Sequence, residues 1–166
     1  MSLPVSATAR KVIARASRDG MTLGTAESLT GGLLSAVLTG VPGASAVLVG
    51  GVVAYDTRIK ADLLGVSADV LATDGAVSER AARAMAAGVC RLLDVSWGLA
   101  TTGVAGPEAS EGKPPGTVHV AVHGIRASGE EVTAHRVFSL RGTRVEVQSW
   151  TVQHTLELLM HTWDAG

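Results

Sequence analysis

The segment at residues 25–32, with the sequence TAESLTGG, places a serine hydroxyl where a strand leads into a helix. An apolar run over residues 21–26 predicts the strand, and a helical apolar pattern from Leu33 onward predicts the helix. Ser28 is therefore expected near a helix N-terminus, where free backbone N–H groups favour negative charge. Such a junction suits either a nucleophile with an oxyanion site or a cradle for a phosphate group.

A serine nucleophile needs an adjacent base, and histidine is the usual one. His119 and His123 share one face of a predicted strand with Ala121, and His135 is expected to pair across that face from the neighbouring strand. No Asp/His spacing indicates a residue that would orient a catalytic histidine. The pattern therefore favours a structural role for these histidines.

Lysine is scarce in this chain, which draws attention to Lys60. Lys60 follows a Val-rich predicted strand over residues 46–55, and ligands of α/β sheets gather beyond the carboxyl ends of strands, where Ser28 also lies. A lysine desolvated there can act as a general base, with the hydroxyl of Tyr55 expected either to orient the amine or to relay a proton. Each residue also fits a structural role, Lys60 as a solvated helix residue and Tyr55 in strand-end packing.

A third strand ends in the sequence TTGVAGP at residues 101–107, whose hydroxyls and backbone N–H groups suit either a polar ligand or an ordinary turn. Arg141 and Arg144, before the last predicted helix, form a candidate phosphate-binding pair. Glu27, beside Ser28, is expected to fix the turn by accepting hydrogen bonds from backbone N–H groups.

The order of helical and strand patterns predicts a single α/β domain over residues 1–166. The expected architecture is a three-layer α/β/α sandwich with a mixed, mostly parallel central sheet. The predicted helices span residues 5–18, 28–39, 58–64, 68–73, 78–93 and 143–163, and the predicted strands span residues 22–26, 46–55, 95–102, 117–123 and 132–138.

Composition excludes several classes of protein. A net charge of −1 gives no electrostatic basis for binding nucleic acid or an anionic membrane. The start of the chain lacks the pattern of a signal peptide, and no apolar run is long enough to span a bilayer, so we expect a cytoplasmic protein. Cys90 is the only cysteine and reads as a buried core thiol. The alanine-rich helix and the Trp-bearing last helix are expected to offer a homodimer face.

The ordered set of motifs is more specific than any one of them. After TAESLTGG come GGVVAY with Lys60, then GAVSE, TGVAGP and KPPGTV, which end at residues 55, 79, 107 and 118. The chain closely resembles the CinA C-terminal domain family, the nicotinamide-nucleotide amidohydrolases, over residues 5–163. The resemblance implies hydrolysis of nicotinamide mononucleotide, a small-molecule substrate, to nicotinic acid mononucleotide and ammonia, with no metal or cofactor.

The resemblance also implies roles for individual residues. Ser28 matches the nucleophile and Lys60 its general base, with Tyr55 assisting, while Arg144 matches an arginine that either binds the substrate phosphate or organises the site. Backbone N–H groups at the helix start would hold the oxyanion. The residues implied in substrate binding are Thr30, Gly31, Gly32, Thr102, Gly103, Gly106 and Arg144.

Three departures from the family pattern concern the fit of the nucleotide. Leu29 stands where the family often has cysteine, Gln148 where it commonly has a second arginine, and residues 108–110 (EAS) where many members have a Gly-Gly pair. These departures leave the serine/lysine pair intact. The alternative function is a non-catalytic nucleotide-binding or regulatory module related to competence/damage-inducible proteins.

Overall fold

The computed structural model describes residues 6–166, so Val5, in the predicted first helix, lies outside the described part. The helices are α1 (Ala7–Asp19), α2 (Leu33–Thr39), α3 (Thr57–Asp62), α4 (Ala68–Thr73), α5 (Glu79–Leu93) and α6 (Arg144–Asp164). The strands are β1 (Leu23–Glu27), β2 (Leu48–Val53), β3 (Trp97–Gly103), β4 (Thr117–Ile125) and β5 (Glu131–Ser139).

The five strands form one mixed sheet in the order β2-β1-β3-β4-β5. β2, β1 and β3 run parallel, and β4 and β5 are antiparallel to their neighbours. In this register Glu27, at the end of β1, stands between Val53 of β2 and Thr101 of β3. The carboxyl ends of three strands therefore meet at one edge, which is the geometry that collects ligands in α/β proteins.

Two apolar cores cover the two faces of the sheet, which confirms the predicted three-layer sandwich. On one face, α1, α2 and α6 pack over side chains such as Leu23, Leu99 and Val120. On the other, α5 packs over small residues such as Ala100 and Ala121. The alanine-rich side of α5 is thereby buried against its own sheet, so that part of the predicted homodimer face is wrong.

Local capping explains where several elements begin. Ser78 caps α5 and Thr143 caps α6, each accepting a hydrogen bond from the first helical turn, as expected of such residues. β2 is shorter than predicted because a 3₁₀ turn at Ala44–Ala46 precedes it and Asp56 caps α3 immediately after it. No helix among residues 6–166 is both long and apolar enough to cross a membrane.

Candidate active site

A cavity of about 480 Å³ opens at the carboxyl ends of the parallel strands. Its volume lies within the range that holds small-molecule ligands. The buried Ser28 and Lys60 line it, and the remaining lining residues come from the end of β3, the first residues of α3 and α6, and the loops around them: Leu29, Tyr55, Thr57, Ala76, Val77, Thr102, Gly103, Val104, Ala105, Gly106, Pro107, Glu108, Ser110, Glu111 and Arg144.

Ser28 is the first residue after β1, and its backbone is tied to the neighbouring strand. Its N–H donates to the carbonyl of Thr101 over 3.0 Å. Because successive side chains of a strand point to opposite faces, Glu27 is directed towards α2 and Ser28 towards the cavity and α3. The hydroxyl of Ser28 is thus placed at the cavity base by the sheet itself.

Lys60 lies on α3, is only 2% exposed, and points its amine at Ser28. Its Nζ lies 3.0 Å from Ser28 Oγ, 2.7 Å from the carbonyl oxygen of Ala54 and 3.3 Å from that of Tyr55. A neutral amine has two hydrogens and one lone pair. These three neighbours suit the base form, with two hydrogens donated to the carbonyls and the lone pair accepting the Ser28 hydroxyl, and they suit the ammonium equally, which donates one hydrogen to each of them.

The surroundings of Lys60 shift its protonation equilibrium towards the neutral amine. Burial lowers the pKa of Lys60 from its ordinary value, because the charged form loses hydration. The carboxylates of Glu111 and Asp56 act in the opposite direction and raise this pKa, but burial is the larger effect. Lys60 therefore has a larger neutral fraction at a given pH than an exposed lysine.

The prediction that the α2 N-terminus supplies the oxyanion donors is wrong. The helix begins at Leu33, five residues after Ser28, and its first N–H groups are already occupied. Glu27, fully buried, accepts from the N–H of Leu34 at 2.7 Å and from the N–H of Ser35 at 3.1 Å. The Glu27 carboxylate thus occupies two N–H groups at the start of α2. This confirms the expectation that Glu27 accepts hydrogen bonds from backbone N–H groups.

The turn after Ser28 retains one donor at the cavity wall. Leu29 lines the cavity, and the backbone N–H of Leu29 has no hydrogen-bond acceptor within residues 6–166. Gly31 and Gly32 follow with φ values of 57° and 102°, a conformation that glycine adopts without strain. The N–H of Leu29, directly after Ser28, is therefore a donor available to a ligand in the cavity.

Thr30, Gly31 and Gly32, implied in substrate binding, do not line the cavity. The Thr30 hydroxyl is turned into the protein, where it lies 2.7 Å from Glu27 Oε1 and 2.8 Å from Thr101 Oγ1. These residues shape and anchor the nucleophile turn. By contrast, Thr102, Gly103, Gly106 and Arg144 line the cavity.

Tyr55 contacts Lys60 through its backbone and not through its side chain. Its hydroxyl accepts a hydrogen bond from Arg144 Nη2 at 2.7 Å, and Arg144 Nη1 donates to the carbonyl of Gly106 at 2.7 Å. The expectation that the Tyr55 hydroxyl orients the lysine amine is therefore wrong. Instead, Tyr55 and Arg144 join two loops across the cavity mouth. Arg141, the other candidate phosphate ligand, does not line the cavity.

Two further contacts fix the cavity wall. The Thr102 hydroxyl donates its hydrogen to the carbonyl of Ala76 at 2.7 Å, so it braces the wall and can meet a ligand only as an acceptor. Gln148, on α6, donates to the carbonyl of Leu29 at 2.8 Å. Gln148 thus supports the nucleophile turn from outside the cavity, a role that the sequence analysis missed because it depends on how α6 packs.

His119, His123 and His135 lie on the antiparallel strands; His119 and His135 pair with each other, as predicted, and His123 pairs with a threonine. His119 Nδ1 lies 2.9 Å from His135 Nε2, and His123 Nδ1 lies 2.7 Å from Thr133 Oγ1. Burial, followed by the proximity of His135, lowers the pKa of His119 to about 4. None of the histidines lines the cavity that holds Ser28.

Glu111 is a cavity residue that sequence reasoning did not find. Its two carboxylate oxygens accept hydrogen bonds from the N–H groups of Ala76 and Val77, both at 3.1 Å. No motif marks it, because the contact joins two loops distant in the chain. Within residues 6–166, no group of three His, Cys, Asp or Glu side chains is placed to hold a metal ion.

Comparison with known proteins places this geometry in a family. The family model of the CinA C-terminal domain matches residues 5–163. A CinA-like protein from Frankia casuarinae is 49% identical over 138 residues, which cover 83% of this chain and 31% of that protein. A putative competence-damage inducible protein from Desulforamulus reducens is 49% identical over 142 residues, which cover 86% of this chain and 33% of that protein. This chain thus spans about a third of the length of the curated relatives it matches.

Solved structures show the same fold over nearly the whole chain. The crystal structure of the competence/damage inducible protein CihA from Agrobacterium tumefaciens superposes with a TM-score of 0.89 at 37% identity, covering 97% of this chain and 98% of that one. A CinA superfamily protein from Enterobacter cloacae superposes with a TM-score of 0.87 at 30% identity, covering 98% and 94%. The chain belongs to the CinA C-terminal domain family.

Proposed function

We propose that this protein hydrolyses the carboxamide of nicotinamide mononucleotide, giving nicotinic acid mononucleotide and ammonia through a Ser28/Lys60 dyad. The observation that carries the proposal is the 3.0 Å contact between Lys60 Nζ and Ser28 Oγ, with two carbonyls accepting from the same amine. A module that only binds a nucleotide has no need of a buried lysine aimed at a serine hydroxyl.

In the first half of the reaction the neutral amine of Lys60 removes the proton of Ser28 as Oγ attacks the carboxamide carbon. The carbonyl π electrons move to oxygen, and the Leu29 N–H at the cavity wall is the donor available to this oxyanion. Lys60, now an ammonium, gives the proton to the amide nitrogen. The C–N bond then breaks, ammonia leaves, and an ester to Ser28 remains.

In the second half a water molecule attacks the ester carbonyl, and the Lys60 amine takes a proton from that water. The tetrahedral intermediate collapses, the Ser28 oxygen leaves with the proton from Lys60, and the carboxylic acid product forms. Throughout, the hydrogen bonds from Lys60 to the carbonyls of Ala54 and Tyr55 hold the amine in one orientation. The lysine therefore serves both halves without changing its position.

Arg144 at the cavity mouth suits the phosphate of the nucleotide. Its guanidinium uses two of its five N–H groups on Gly106 and Tyr55, which fixes its plane and leaves other donors for an anion. The apolar lining from Val77, Val104 and Pro107 offers a surface for an aromatic ring between the mouth and the dyad. We thus assign separate positions to the carboxamide, the aromatic ring and the phosphate of the substrate.

The test is release of ammonia from nicotinamide mononucleotide by the purified protein. We expect turnover by the wild type and a loss of about 10³-fold in Ser28→Ala, while Ser128→Ala, in the β4–β5 turn, keeps full activity. Calorimetry on the same samples separates the alternatives. Binding of the nucleotide without any ammonia from the wild type would assign the chain to the nucleotide-binding modules, and full activity in Ser28→Ala would overturn the dyad.

A further inference from the structure

The cavity wall carries a carboxylate for which the serine/lysine chemistry has no use. Glu111 lines the same cavity as Ser28 and Lys60, and each of its oxygens accepts one backbone N–H, from Ala76 and Val77. These two contacts leave further lone pairs and the negative charge itself facing the cavity. The side chain of Glu111 is about one-third exposed, so it is neither buried in the core nor free in solvent.

The backbone around Glu111 is shaped to hold this carboxylate in place. Glu111 has φ of 52°, a left-handed conformation that costs a non-glycine residue free energy. Opposite it, a Cβ added to Gly75 would lie 2.5 Å from Glu111 Oε2, so only glycine leaves room for the carboxylate. The left-handed backbone of Glu111 and its close approach to Gly75 therefore both hold the Glu111 carboxylate in one position at the cavity wall.

The charges around the cavity favour a cation deep within it. Four charged side chains line the cavity: Lys60, Glu108, Glu111 and Arg144. Lys60 must be neutral to act as a base, and Arg144 is held at the mouth by Gly106 and Tyr55. Lys113, 3.7 Å from Glu111, bonds the carbonyls of Asp74 and Val77 and lines a different cavity. Glu108 is exposed, so Glu111 is the negative charge that hydrogen bonds hold in place on the cavity wall.

We propose that Glu111 selects amides carried on a cationic ring, an N-alkylated pyridinium, over the same amides on a neutral ring. The inference rests on the proposed function and names what the site recognises in its substrate. The positive ring nitrogen of such a substrate is stabilised by the carboxylate across a partly desolvated cavity. The same carboxylate repels the anionic carboxyl group of the product, which favours product release.

The experiment measures binding without turnover, in the Ser28→Ala background. Calorimetry compares nicotinamide mononucleotide with its 1,4-dihydro form, which has the same amide, ribose and phosphate but a neutral ring. We expect the cationic form to bind about tenfold more tightly. Adding Glu111→Gln should remove most of this ratio by weakening the cationic form alone, and should tighten binding of nicotinic acid mononucleotide.

Glu130→Gln, which removes the same charge in the β4–β5 turn, is the matched control and should leave the ratio unchanged. Equal affinity for the two ring forms in the Ser28→Ala background would overturn the selectivity while leaving the proposed function intact. Equal weakening of both forms by Glu111→Gln would overturn it too, because that result indicates a role in loop structure only. If neither nucleotide binds, the proposed function itself fails.

Discussion

The two halves of the sheet treat their titratable side chains in opposite ways. In the parallel half, β2, β1 and β3 end at one edge, and a single lysine there faces a serine across 3.0 Å. In the antiparallel half, β4 and β5 carry three histidines that bond to one another or to Thr133. Side chains opposite each other on a hairpin satisfy one another, whereas converging strand ends leave groups directed at a shared space.

Burial has a different consequence in each half. It lowers the pKa of His119 to about 4, so this histidine is neutral at physiological pH and already paired with His135. It also lowers the pKa of Lys60, but there the shift increases the neutral fraction of a group that is ordinarily charged. The usual catalytic residue type is thus structural in this fold, and the unusual one is placed for chemistry.

The largest effect that can break this comparison is expected from Lys60→Met. Removing the amine should lower kcat for ammonia release by about 10³-fold, because Ser28 then lacks a base. The free energy of unfolding should change little or rise, since methionine fills the same space without a buried amine. Stopped assays and urea denaturation measure the two quantities. If Lys60→Met kept an activity close to that of the wild type, the general base would have to be another residue.

Glu27→Gln should have the next largest effect, on both activity and stability. The buried carboxylate accepts from the Thr30 and Ser35 hydroxyls and from the N–H groups of Leu34 and Ser35. An amide sets an NH₂ group against one of these donors, which should cost about 2 kcal/mol of unfolding free energy. We expect kcat to fall more than KM rises, since the turn that aims Ser28 is disturbed. A change confined to KM would contradict this role.

The pH dependence of kcat/KM should show whether activity depends on Lys60 in the parallel half or on the histidines in the antiparallel half. Lys60 acts when neutral, so activity should rise with pH to a plateau, with a midpoint below the ordinary lysine pKa because burial lowers it. Glu111 raises the pKa of Lys60, so Glu111→Gln should move this midpoint to lower pH. If Glu111→Gln left the midpoint unchanged, the rise of kcat/KM with pH would report the titration of a group other than Lys60.

His119→Gln should have the smallest effect, with kcat/KM within about twofold of the wild type, because His119 lies outside the active cavity. Its pKa is lowered to about 4 in the folded state, so between that value and the ordinary pKa only the unfolded chain binds the proton. Stability should therefore fall as pH falls through this window, and His119→Gln should make the fall shallower. Urea denaturation between pH 4 and pH 7 measures it, and an unchanged slope would contradict the assignment.

The sequence predicted the layered fold and the meeting of Ser28 with Lys60, because parallel strands bring their carboxyl ends together whatever the loops do. It did not predict which atom of Tyr55 faces the lysine, because the residue type does not show whether the backbone carbonyl or the side-chain hydroxyl makes the contact. Gln148 and Glu111 act on the site from a distant helix and a distant loop. Contacts of that kind depend on packing angles that local patterns do not encode.

The placement of Glu27 and Ser28 on opposite faces of β1 has a consequence for how this fold can change. The nucleophile is anchored from behind the sheet, by α2, through a group that never meets the substrate. The loops that line the cavity come from elsewhere in the chain, chiefly residues 102–111. The lining of the cavity can therefore diverge by exchange of those loops while the Ser28 hydroxyl keeps its position, which makes the fold a suitable starting point for cavities of altered ligand preference.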